Sequence, residues 1–122
     1  MLSTLDGASV YLATGSTGYP LGVRKSIDGL AALVSHSFEL DLFSNSLFVF
    51  CNRDHDKLKI LHWDHNGFWL YYRRLERGRF RWPTRSGDQT LAISKRQLQW
   101  LLDGLSLEQR QAHRPVTARI AA

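Results

Sequence analysis

The chain alternates between strand-like and helix-like spacing of its apolar residues. Ala8 to Ala13 (ASVYLA) alternates weakly, which predicts a short strand with Val10 and Leu12 on one face. Thr14 to Gly22 (TGSTGYPLG) holds three glycines and a proline in nine residues and predicts no regular structure. From Ser26 the period changes. Ile27, Leu30, Ala31, Val34 and Phe38 make a helical stripe, with Ser26 expected to cap the first turn and Asp28 at the positive end of the dipole. Gly29 weakens that helix by about 1 kcal/mol against Ala and marks a place where another backbone is expected to pack closely. The helix is expected to fade near Phe38. Glu39 to Ser46 then reads as a connection, with Ser44-Asn45-Ser46 as a turn.

The central stretch returns to strand patterning. Leu47 to Cys51 is continuously apolar and predicts a strand covered on both faces. Asn52 to Asp56 is a polar turn and Lys57 to Trp63 a second strand. Asp64-His65-Asn66-Gly67 is a hairpin signal, because Asn-Gly accepts the positive φ of a tight turn. Phe68 to Leu75 is a third strand, and Glu76-Arg77-Gly78 a turn or bulge. Beyond it Arg77, Arg79 and Arg81 alternate with Gly78, Phe80 and Trp82, which predicts a half-buried strand with an all-arginine outer face, ended by Pro83.

After a turn at Arg85 to Gln89 comes a short strand, Thr90 to Ile93. Ser94 with Gln97 forms a capping box, and Leu98, Leu101, Leu102 and Leu105 share one helical face. Trp100 lies on another face, free to meet a partner, and Gly104 is the stop. Beyond Leu107 the periodicity ends, and 108–122, with Arg110, Arg114 and Arg119, reads as a tail. These elements predict one α+β domain over residues 1–107. An antiparallel sheet of four or five strands, with a meander over about residues 47–82, is packed by two helices.

At 122 residues the chain can build one real core. Its apolar share of 43% is that of an ordinary soluble globular protein, and no apolar run reaches the roughly 20 residues of a membrane span. No signal peptide is visible, so a cytoplasmic location is expected. The one cysteine, Cys51, lies among Phe48, Val49 and Phe50 and reads as a buried thiol rather than a reactive one.

Charge changes the picture most. Between Leu47 and Arg85 there are nine basic and four acidic residues, while the rest of the chain carries seven of each. The formal net charge of +5 is therefore local. Seven of the fourteen aromatics lie between Trp63 and Trp82. Together these mark a nucleic-acid-binding candidate in which Lys57, Lys59, Arg73, Arg74, Arg77, Arg79 and Arg81 meet phosphates. Trp69, Tyr71 or Trp82 would stack on unpaired bases. The competing reading is that outward arginines only keep an edge strand soluble. The concentration of the whole net charge here favours binding, through the backbone rather than the bases.

Several segments also resemble a known family: Asp28-Gly29-Leu30-Ala31-Ala32-Leu33-Val34, Leu47-Phe48-Val49-Phe50, Lys59-Ile60-Leu61-His62-Trp63-Asp64 and Arg73 to Pro83 (RRLERGRFRWP). They are similar to the TnpB accessory proteins of insertion-sequence-66 transposons, from about Val10 to Leu105. The Arg-Leu-Glu-x-Gly-x-Phe-x-Trp-Pro block is the most specific part. Thr17 and Arg24-Lys25 match the family's Thr-Asp-Met-Arg-Lys, but Gly18 to Val23 stands where the Asp-Met pair is expected. The resemblance implies a non-catalytic accessory role in DNA transposition. It implies a separate transposase as partner; with the local charge, the expected partners are the transposon ends and that transposase, and no cofactor is expected.

Two other classes compete. One is a protein-interaction subunit that assembles the transposition complex, or copies of itself, without touching DNA. The other is a metal-dependent nuclease using Asp54, His55, Asp56, His62, Asp64 and His65, if the turns at the two ends of one strand bring them together. No H-x-x-x-H or C-x-x-C spacing and no phosphate loop supports the latter. A Cys51–His62 or Cys51–His65 dyad has no supporting spacing either.

Overall fold

In a computed structural model of the chain, which describes residues 7–14, 25–83 and 88–109, five strands form one sheet in the order β4-β3-β2-β1-β5. The strands are β1 (Ser9–Ala13), β2 (Ser46–Cys51), β3 (Lys57–Asp64), β4 (Gly67–Arg74) and β5 (Thr90–Ile93). Helix α1 (Ile27–Ala32) continues into a π-helical turn (Leu33–Ser37), and α2 (Lys95–Leu102) follows β5. The α+β class and the five strands follow the sequence pattern. One pairing differs: β1 runs parallel to β2, because α1 crosses over between them, and all other pairs are antiparallel.

Alternation divides the sheet into two cores. Val10, Leu12, Leu47, Val49, Cys51, Leu58 and Ile60 point to one face, where Leu98, Leu101 and Leu102 of α2 cover them together with Phe80 and Trp82. Ala13, Phe48, Phe50 and Leu61 point to the other, under Leu30, Val34, Phe38 and Leu42. Every residue of β2 is buried, as its unbroken apolar run predicts for a central strand.

The meander is shorter than the pattern predicts. It covers β2, β3 and β4 and ends at Arg74. Residues 79–82 keep the alternation of an extended chain, with Phe80 and Trp82 buried and Arg79 and Arg81 exposed, but 76–78 form a bend in which Gly78 is exposed rather than on the buried side, and none of 75–83 pairs with a strand. They form a strap across the α2 face. The Leu75 amide donates to the Asp56 carbonyl and the Phe80 amide to the His55 carbonyl, both at 2.7 Å. Period-two patterning reports extended backbone with one buried side. It does not report whether the backbone partner is a strand or a turn.

Local details separate further. Ser94 and Gln97 form the full capping box. Gly104, at φ 83, ends α2, with the Leu105 amide on the Trp100 carbonyl and the Gly104 amide on the Leu101 carbonyl, the two bonds of a Schellman end. That left-handed step turns Leu105 out to 42% exposure, so it leaves the leucine face. Ser26 precedes α1 but makes no side-chain cap bond. A Cβ on Gly29 would meet the Lys25 side chain at 2.9 Å, so the close neighbour there is its own preceding turn and not another backbone. In the hairpin, the positive φ falls on His65 rather than on Asn66 or Gly67. The Thr14–Gly22 stretch, the Arg85–Gln89 turn and the tail from Glu108 lie wholly or mostly outside the described residues.

Candidate nucleic-acid interface

The residues grouped by sequence do not share one surface. In an antiparallel ladder directly opposed residues point the same way. Arg73 opposes Leu58 and Tyr71 opposes Ile60, so Trp69, Tyr71 and Arg73 lie on the face that the strap and α2 cover. Arg74 opposes Lys57 and Tyr72 opposes Lys59, on the α1 face. Adjacent arginines 73 and 74 therefore part across the sheet. Two groups result: Arg73 with Trp69 and Tyr71 and the outward Arg79 and Arg81 of the strap on one side, and Lys57, Lys59 and Arg74 on the other, with Arg77 in the bend between β4 and the strap.

The first group, together with Arg77, has the properties of a binding surface. Arg73, Arg77, Arg79 and Arg81 are exposed. Phe80 and Trp82, driven into the core, fix the strap between them, so Arg79 and Arg81 are held outward by their neighbours' burial. Gly78, at φ 79, supplies the bend that redirects the chain from β4 into the strap. On the same side Trp69 and Tyr71 stack with centroids 6.1 Å apart at 11°, and Trp69 is 54% exposed. Its indole N–H donates to Asp64 Oδ2 at 3.2 Å, which orients the ring.

The second group is partly committed to the fold. Lys59 donates from Nζ to the Lys25 carbonyl at 3.0 Å and lies 5.7 Å from the centre of the Tyr72 ring. Arg74 makes a 2.9 Å ion pair with Glu76 at an exposed position, and this bond and charge hold its guanidinium pKa up. Trp82, a stacking candidate in the sequence, is 6% exposed and packs in the core, so its ring does not face a base. Arg81 takes the outward position, and the alternation leaves Trp82 on the buried side with Phe80.

The turn beneath the strap is built by Asn52, which the sequence pattern does not single out. Its side chain accepts from the Asp56 and Lys57 amides and donates to Asp56 Oδ1 at 2.6 Å, a bond that lowers the Asp56 pKa. His55 takes φ 60 in this turn. Burial, and then the charge of Arg79, lower its pKa.

The ligand cluster proposed for a nuclease is dispersed. Asp54, His55 and Asp56 lie at one end of β3 and Asp64 and His65 at the other, about 24 Å apart at the rise of a strand. His62 is buried in the sheet, opposite Leu47. Among the described residues no group of three or more His, Cys, Asp or Glu could hold a metal ion. Cys51 opposes Leu58, at the far end of β2 from His62, and burial pushes its thiol up to about 12. Trp100 is half-buried under the Arg96 guanidinium, 4.9 Å from its ring centre.

Residues 8–112 match the family described as IS66 Orf2 like protein. Two proteins of Sinorhizobium fredii (strain NBRC 101917 / NGR234) are similar over 105 residues. The uncharacterized protein y4hO is 37% identical, covering 86% of this chain and 87% of its own. The uncharacterized protein y4jC is 30% identical, covering 86% of each. No solved structure matches the chain. No helix among the described residues is long and apolar enough to cross a membrane.

Proposed function

This chain belongs to the IS66 Orf2-like family, and from that premise we propose that it binds nucleic acid through the arginine strap while assisting a separate transposase. Membership itself carries a transposition-associated accessory role. The observation that supports the finer reading is the strap. Arg73, Arg77, Arg79 and Arg81 are all exposed, and on the α2 side of β4 an exposed Trp69 stacks on a half-buried Tyr71. Phosphates would lie along Arg73, Arg77, Arg79 and Arg81, and an unpaired base would extend the Trp69–Tyr71 stack. Such contacts hold the backbone and tolerate any sequence, so end selectivity would come from the transposase or from strand state.

The test is binding to a transposon-end duplex and to its single strand over roughly 50 to 200 mM salt. Changing Arg77, Arg79 and Arg81 together to Ser should flatten the log–log salt slope by about 2 to 3, at roughly 0.7 to 0.9 per phosphate contact. An unchanged affinity and slope in the triple variant removes the strap from the interface. The second reading, a protein-interaction subunit, draws on a groove of about 580 Å³ beside β5, lined by Arg81, Leu91, Ile93, Gln97 and Leu107. Absence of DNA binding at low salt, with retention of the transposase in a pull-down, would favour it.

A further inference from the structure

We propose that the hairpin end of β4 holds a slot for one unpaired guanine base, stacked on the free face of Trp69 and held along its Watson–Crick edge by the Asp64 carboxylate. The inference rests on the nucleic-acid reading above. It adds a preference for one base to contacts that otherwise tolerate any sequence.

β4 turns Gly67, Trp69, Tyr71 and Arg73 to one face, because alternate residues of a strand share a side. Tyr71 covers one face of the Trp69 indole, with the two rings 11° from parallel. On the other side of Trp69 the next residue along that face is Gly67. A Cβ built there meets nothing within 4 Å, so the space beside the second indole face is open. Any residue with a side chain would begin to fill it. The glycine leaves a gap next to an exposed ring, and a flat base fits such a gap by stacking.

Asp64 gives the gap a polar side. It ends β3 and pairs directly with Gly67 across the hairpin turn, so it lies on the same face. Its Oδ2 accepts the Trp69 indole N–H, which holds the carboxylate against the edge of the ring. Its Oδ1 takes no hydrogen bond among the described residues. An ionised carboxylate accepts and cannot donate, and each oxygen keeps a lone pair to offer. The base that suits it shows two donors side by side. Guanine does so with N1–H and the 2-amino group. Adenine and cytosine present one amino group beside a ring acceptor, and thymine one N–H between two carbonyls, so each sets a lone pair against the carboxylate. In a duplex the same guanine edge is taken by cytosine, so the slot selects an unpaired base. Arg73 lies on the same face beyond Tyr71, and a strand with its base in the slot can run its phosphates toward Arg73 and the strap.

The test is anisotropy of the full chain with a labelled oligothymidine of about 12 nucleotides, its central nucleotide replaced in turn by deoxyguanosine, deoxyadenosine, deoxycytidine or deoxyinosine. The guanine strand should bind at least about fivefold tighter than the unsubstituted one, the low end for a bidentate base contact. Deoxyinosine, which lacks the 2-amino group, should lose most of that gain. Asp64→Asn should remove the preference. Loss of a negative charge alone would strengthen binding of every strand alike and leave the ratio standing, so the ratio reads the base contact. Gly67→Leu has room for its Cβ and no left-handed φ to strain. It should fold, with an unchanged circular dichroism spectrum, and lose the preference because the side chain fills the slot. Free dGMP at the concentration of the strand lacks the neighbouring phosphates and should not displace it; displacement would overturn the assignment to a strand. Equal binding of all the strands overturns the slot and leaves the strap standing. So does a guanine preference that survives both Asp64→Asn and Gly67→Leu. A chain that binds none of the strands at low salt overturns the nucleic-acid reading and the slot together.

Discussion

Phe80→Ala asks whether the strap is part of the core or a surface appendage. Phe80 is 1% exposed and packs with Trp82, Leu58, Ile60 and the α2 leucines. Truncating a buried Phe to Ala removes its transfer free energy and leaves a cavity, at a cost of about 3–5 kcal/mol. A domain of this size holds about 5–15 kcal/mol in all. The substitution should therefore remove a large part of the stability and lower the melting temperature on the order of 10–25 °C. Urea unfolding followed by tryptophan fluorescence gives the free energy directly, because Trp82 lies in the same cluster. Arg79→Ser and Arg81→Ser are the controls. Both flank Phe80 but point outward, and each should change stability by no more than about 0.5 kcal/mol. A Phe80→Ala cost under about 1 kcal/mol would refute the reasoning, since the strap would then not be anchored by its aromatic side. Arginine variants costing as much as Phe80→Ala would refute it too. If the anchor holds, Phe80→Ala should also weaken nucleic-acid binding without touching a charge, because Arg79 and Arg81 owe their direction to it.

Two further outcomes follow from the fold. Gly104→Ala forces a Cβ into the left-handed region at φ 83 and should cost about 1–2 kcal/mol in thermal unfolding; an unchanged melting temperature would mean that the Schellman end is not formed. Burial holds the Cys51 thiol up at about 12 against an ordinary 9.0, so its contribution to stability is complete below pH 9.0 and is lost as pH rises toward the folded value. Native protein at about pH 8 should therefore resist alkylation and become reactive only on unfolding, and rapid labelling of the native state would contradict the burial.

Much of the fold was legible from residue spacing. β2 is central because Leu47 to Cys51 is an unbroken apolar run, β3 and β4 are joined by a short polar turn, and α2 begins where Ser94 and Gln97 can satisfy each other's amides. These are local facts, set by periodicity and by side chains that reach only a few residues. The charge of the Leu47–Arg85 stretch was also plain, since composition needs no fold. The register of the final alternation was readable as well: Phe80 and Trp82 inward, Arg79 and Arg81 outward.

What the spacing left open required partners distant in sequence. Alternation from Arg77 to Trp82 could not tell a strand from a strap, because both are extended and one-sided. The difference is that the Phe80 amide finds the His55 carbonyl of a turn and not a ladder. The seven basic candidate residues looked like one patch in sequence, yet the sheet separates Arg73 from Arg74 and ties Lys59 to the Lys25 carbonyl. Trp82 could be counted a stacking ring only until the core claimed it. The parallel β1–β2 pair, and with it the placing of β4 and β5 at the edges, depended on α1 crossing over the sheet. The sequence by itself determined most of the elements, most of their buried sides and the local excess of positive charge, because these depend on near neighbours. Only the tertiary structure decided which charged side chains share a face and which strand edge stays open, because those depend on how distant strands pair.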